Sequence, residues 1–102
     1  MNGGDMKYEM TDKSPNQTFR IIDENIPYDF VIRTFKGRAY VSVLADDEYI
    51  VTSMLIISGA PILPRRYARA AGGNFVFRDI EKDVVTTDRF DGISCTLYFE
   101  ED

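Results

Sequence analysis

Alternating apolar and polar positions set the rhythm of the chain from Tyr28 onward. Between Tyr28 and Phe35, one face carries Tyr28, Phe30, Ile32 and Thr34, and the other Asp29, Val31, Arg33 and Phe35. That is the period of a strand with one side buried, and the first face is the better core candidate. Arg38 to Ala45 repeats the period, with the wholly apolar face Ala39, Val41, Val43 and Ala45 expected inward against Tyr40, Ser42 and Leu44. Lys36-Gly37 between the two runs suits a two-residue hairpin. Earlier, Thr18 to Ile22 is a shorter β-prone run, followed by the turn-like Asp23-Glu24-Asn25 and by Pro27, which a sheet tolerates at a strand's start or edge. Asp46-Asp47 is a second turn, and the β-branched content of Glu48 to Ser58 favours a strand over a buried helix. Asn74 to Ile80 reads as a strand, Lys82 to Thr87 as a short extended piece, Asp91-Gly92 as a turn and Ile93 to Phe99 as the closing strand.

One stretch, GAPILPRRYARAAGGNFVF from Gly59 to Phe77, breaks this rhythm. Pro61 and Pro64 fix their own φ and push Ala60 and Leu63 toward extended backbone, while Gly72-Gly73 stops any long helix. Arg65 to Ala71 can form one helical turn closed by Gly72. Ile62, Leu63 and Tyr67 give the stretch apolar weight, so it reads as a shaped, packed loop on a rigid scaffold, the place where function commonly sits. The whole predicts an all-β single domain, a small antiparallel barrel or sandwich with a long Pro/Gly-rich loop. Residues 1–17 are expected to be a flexible or loosely docked lead-in, 18–99 the β domain and 100–102 a solvated acidic tail. Phe30, Ile32, Val41, Val43, Phe75, Phe77, Cys95, Leu97 and Phe99 form the expected core.

With 102 residues, 44% of them hydrophobic, one core can form without disulfides or metal. A formal charge of −5 argues against general nucleic-acid binding. The charge is uneven, however: Tyr49 to Arg78 contains no acid, yet holds Arg65, Arg66, Arg69 and Arg78. Such a cationic patch on an acidic protein suits an acidic protein surface. Cys95 is the lone cysteine, so no intramolecular disulfide forms, and no apolar run approaches a signal peptide or membrane span; a soluble, cytoplasmic origin is expected.

The absence of histidine excludes Ser-His and Cys-His nucleophile pairs and His-based metal sites. Asp46-Asp47-Glu48 lacks the spaced ligands and glycine of a calcium loop and reads as a solvated turn. Scattered acids establish no carboxylate pair across a cleft. No enzymatic activity, cofactor or metal is expected. Phe75, Phe77, Tyr98 and Phe99 invite a base- or sugar-stacking platform, but in a Trp-free domain core packing is the better account. Cys95, in phase with Leu97 and Phe99, reads as a small buried hydrophobe. The cluster Arg65, Arg66, Tyr67 and Arg69, shaped by Pro61 and Pro64, is the candidate partner-binding site; a solvated charged turn and an interface patch both fit it.

Four stretches, PNQTF at Pro15 to Phe19, IRTFKG at Ile32 to Gly37, GAPILPRRY at Gly59 to Tyr67 and GGNFVF at Gly72 to Phe77, together resemble the small baseplate plug proteins of contractile-tailed bacteriophages and prophages. The resemblance runs from about Met6 to Phe99. It implies a non-enzymatic all-β virion component without cofactor, assembled in the host cytoplasm. Its place is the centre of the baseplate where tail tube meets hub and central spike, with hub, spike and tube proteins as partners. Asp46-Asp47-Glu48, Glu81 to Thr87 and the Asn2-Gly3-Gly4 lead-in depart from the family pattern. The alternative is a small β-barrel ligand-binding or adaptor domain whose aromatic strands line a pocket.

Overall fold

The computed structural model describes residues 6–8, 16–23, 26–89 and 94–101. In chain order these form β1 (Met6–Tyr8), β2 (Gln17–Asp23), β3 (Ile26–Phe35), β4 (Arg38–Ala45), β5 (Glu48–Leu55), α1 (Arg65–Ala71), β6 (Gly73–Asp79) and β7 (Cys95–Glu101), with a 3-10 turn at Thr87–Arg89. β2 to β5 make a four-stranded antiparallel meander, and β1, β7 and β6 make a three-stranded antiparallel sheet in that order. The architecture is a sandwich rather than a closed barrel, because the sheets join at a corner instead of through a continuous ladder. The Asp91-Gly92 turn expected before β7 lies outside the described residues.

The register places the alternating faces as the pattern predicts. Phe30 pairs with Val43, Ile32 with Val41 and Thr34 with Ala39, so the apolar faces of β3 and β4 coincide. Lys36 and Gly37 (φ 51° and 80°) and Asp46 and Asp47 (φ 53° and 68°) make hairpin turns in the left-handed region, matching the natural strand twist. From the opposite sheet, Phe75 sits edge-on to Tyr28 and Phe30 at centroid distances of 5.7 and 5.1 Å, and to Phe99 at 5.1 Å. Phe75 and Phe77 are thus core residues, as are Cys95, Leu97 and Phe99. A fully buried phenyl ring is worth about 3–5 kcal/mol against alanine.

Several elements differ from the pattern-based expectation. A three-residue strand, β1, forms within the expected lead-in and pairs with β7. β5 ends at Leu55 rather than Ser58 and takes two register shifts against β4, one beside Ser53 at φ 48°, whose N–H donates to Ser42 Oγ at 2.9 Å. Bulges of this sort bend an edge strand and deter pairing with another chain. Glu100 is not a solvated tail residue: it lies in β7, and its carboxylate accepts both Nε and Nη2 of Arg78. The segment after β6 is extended only through the bridges of Val84 to Ile57 and Thr86 to Arg38.

Those bridges frame the corner between the sheets. Ala39 N–H donates to Val85 O at 3.2 Å, Val85 N–H to Ile56 O at 3.1 Å, and Ile56 N–H to Ala39 O at 3.0 Å, closing a ring among three buried residues. The preceding turn is fixed by Asp79. Its buried carboxylate accepts Arg89 Nε and Nη2 at 2.9 and 3.0 Å and the amides of Glu81 and Lys82 at 2.8 and 2.9 Å. Burial pushes the Asp79 carboxyl up, but the Arg89 hydrogen bonds, the two amide donors and the Arg89 charge outweigh it and hold it below the usual carboxylate range.

With the folded value below the unfolded one of about 3.9, the stabilisation is complete above that pH and lost as pH falls through the folded value. Asp79→Asn should therefore melt several degrees below the wild type at neutral pH, and the gap should narrow as pH drops from about 5 to about 2. Thermal melts across that range check this; a constant gap means that the carboxylate charge does not hold the turn.

Candidate interaction surface

The connection from β5 to α1 is a fitted piece of the sandwich. Leaving Ile56, it runs along the open edge of β6, where Gly59 N–H donates to Phe77 O at 2.8 Å and Ile62 N–H to Phe75 O at 3.0 Å. An edge that would otherwise present unpaired backbone is thereby covered. Ile62 and Leu63 are buried in the core, while Pro61 is exposed.

Asn74 clamps the far end of this connection. Its Oδ1 accepts the amides of Ile62 (3.2 Å), Leu63 (2.7 Å) and Phe75 (2.8 Å), and its Nδ2 donates to Leu63 O at 3.1 Å. Both ends of one side-chain amide are thus spent on backbone just before Pro64. Nothing in the local pattern marks this role, since Asn74 reads as the first residue of a strand.

α1 follows at once. Pro64, at φ −56° and ψ 152°, holds the entry extended, and its carbonyl accepts the amides of Tyr67 and Ala68, both at 3.0 Å. The helix has seven residues, longer than the single turn expected, because Tyr67, Ala68 and Ala71 pack against the core and repay its formation. Gly72 ends it at φ 75°, its N–H donating to Ala68 O, the left-handed close that glycine adopts without strain. Gly73 is needed for a different reason. A Cβ there would collide with the backbone oxygen of Glu100 and the Phe99 ring.

With the inner face of α1 used in packing, Arg65, Arg66 and Arg69 are exposed on the outer one. Arg66 lies over the Tyr67 ring at 5.0 Å and points Nη2 at the Tyr67 hydroxyl at 3.4 Å, which orders its guanidinium. Among the described residues, Arg65, Arg66 and Arg69 form no ion pair, whereas Arg78, from the same acid-free stretch, is bound to Glu100. The structure thus groups Arg65, Arg66, Tyr67 and Arg69 on one short helix between Pro61 and Pro64 on one side and Gly72-Gly73 on the other. Arg78 is separated from them by its own partner. Among the described residues, no group of three His, Cys, Asp or Glu side chains is placed to hold a metal ion, and no helix is long and apolar enough to cross a membrane.

Asn74→Ala should free the loop while keeping the sandwich. Losing hydrogen bonds worth about 0.5–1.5 kcal/mol each and stranding the Leu63 amide, it should lower the melting midpoint and speed amide exchange at Leu63, and less so at Ile62, whose N–H keeps Phe75 O. Exchange unchanged at those two amides would show that the β6 edge alone holds the loop.

Compared with known proteins, residues 6–102 match the protein family described as cyanophage baseplate Pam3 plug gp18. No curated protein matches the chain. The match spans every strand, the covered edge of β6 and the arginine-bearing helix, so the chain belongs to this baseplate plug family and is a structural component of a phage baseplate.

Proposed function

We propose that the protein plugs the centre of a contractile-tail baseplate, at the junction of tail tube, hub and central spike, in a particle assembled in the bacterial host cytoplasm. In this role it performs no catalysis and works by filling space and presenting surfaces to hub, spike and tube proteins. The observation that carries the reading is the family match across residues 6–102, joined to a surface helix whose three arginines have no ion pair among the described residues.

Arg65, Arg66 and Arg69 with Tyr67 dock on carboxylates and backbone carbonyls of a hub or tube protein, where guanidinium groups bond bidentately. Pro61, Pro64 and the Asn74 clamp hold the loop in one conformation before binding, so little ordering entropy remains to be lost on assembly. An exposed ion pair alone is worth about 0–1 kcal/mol; the same charges desolvated in an interface and paired with fitting acids contribute more.

Two linked experiments test this. Phage lacking the protein should yield particles with defective or unstarted tails, and normal, infectious particles would contradict the plug role. Arg65→Ala with Arg66→Ala should weaken assembly, with the loss shrinking at high salt, while leaving the melting midpoint within a degree or so, since exposed arginines without internal partners add little to stability. Normal assembly with a midpoint several degrees lower would instead make the arginines internal struts.

A further inference from the structure

The outer face of the large sheet bears a second acid-free cluster. Between Asp29 and Asp46 the chain contains Arg33, Lys36 and Arg38 and no carboxylate. The register of β3 against β4 sets Arg33 beside Tyr40 and Phe35 beside Arg38, so cations and rings share the hairpin end of this face. Phe35 is 63% exposed, with Lys36 Nζ 5.4 Å from its ring centroid. Together Arg33, Thr34, Phe35, Tyr40 and Ser53 line a groove of about 300 Å³. Ser53 of the wall lies beside the β5 register shift, and Arg33 Nη1 donates to Ile32 O at 2.8 Å, which steadies the guanidinium. Among the described residues, Arg33, Lys36 and Arg38 form no ion pair.

We infer that this groove is a second docking surface and that its occupant is an acidic segment of another protein. One apolar side chain enters between Phe35 and Tyr40 while flanking carboxylates meet Arg33, Lys36 and Arg38. The rings supply apolar contact area of the kind that dominates binding hot spots, and the cations supply complementarity to an anionic chain. A nucleic acid fits less well, since three cations on a molecule of net charge −5 neutralise few phosphates. The inference takes from the baseplate assignment only that protein neighbours exist, and it does not depend on α1.

The test uses the isotopically labelled full chain and a short acetylated peptide with one Phe between runs of Glu. Amide shifts should localise to Arg33 through Tyr40 and Ser53. Lys36→Glu with Arg38→Glu should weaken binding about tenfold, as removing and reversing two facing charges does. Arg65→Ala with Arg66→Ala should leave these shifts unchanged, and the peptide with Lys in place of Glu should produce none. Three outcomes overturn the inference: shifts scattered or confined to α1, tighter binding of a single-stranded oligothymidine to the same groove, or self-association through this face without peptide binding. Because the arginines of α1 are left intact in the groove variant, failure here leaves the assembly result for Arg65 and Arg66 standing, and the reverse holds equally.

Discussion

Three backbone hydrogen bonds, linking Ala39 to Val85, Val85 to Ile56 and Ile56 back to Ala39, hold this sandwich together at its corner. They tie the start of β4, the residue that follows β5 and the segment after β6 into one buried ring, and all three residues are essentially inaccessible to water. An unmade bond at such a site leaves a polar group stranded at a cost of about 1–3 kcal/mol, so the three contacts form or fail together. With the corner closed, the sheets meet so that Phe75 of one interlocks with Tyr28 and Phe30 of the other.

The proposed docking surface follows from that frame. The chain leaves the corner at Ile56 and is laid along β6, then fixed by Asn74 and turned by Pro64 into a helix whose inner residues are already packed. Each step removes freedom from the segment that carries the arginines. A component of a multi-protein baseplate needs rigid surfaces of matched charge more than it needs a reactive group, and complementary charge contributes chiefly specificity and rate of encounter. Here the cations stand on a chain of net charge −5, concentrated on α1 and on the β3–β4 hairpin.

Much of the fold was legible wherever period and local geometry agree. The inward faces of β3, β4, β6 and β7, the Lys36-Gly37 and Asp46-Asp47 turns and the closing role of Gly72 follow from alternation and backbone preference alone. Contacts between distant segments carry no such signal. Val85 stands in a stretch with no clear period, Asp79 and Arg89 read as surface charges until the turn brings them together, and Glu100 looks like tail until Arg78 is placed beside it. The choice between barrel and sandwich belongs to the same class, being decided by which edges pair across the corner. For the proposed docking surface, the acid-free run singles out Arg65, Arg66, Tyr67 and Arg69, which the structure groups on α1, whereas the Asn74 clamp that positions them was invisible, because an amide side chain at a strand's start has many ordinary uses.

A corner that holds the two sheets together is the last part of the molecule to open. Native-state hydrogen exchange followed residue by residue measures this directly. The amides of Ala39, Ile56 and Val85 should exchange only through global unfolding, with denaturant dependence equal to that of the whole domain, while α1 amides exchange through smaller openings. If those three amides exchange through a local opening while the β3 and β4 ladder stays protected, the corner is not what holds the two sheets together.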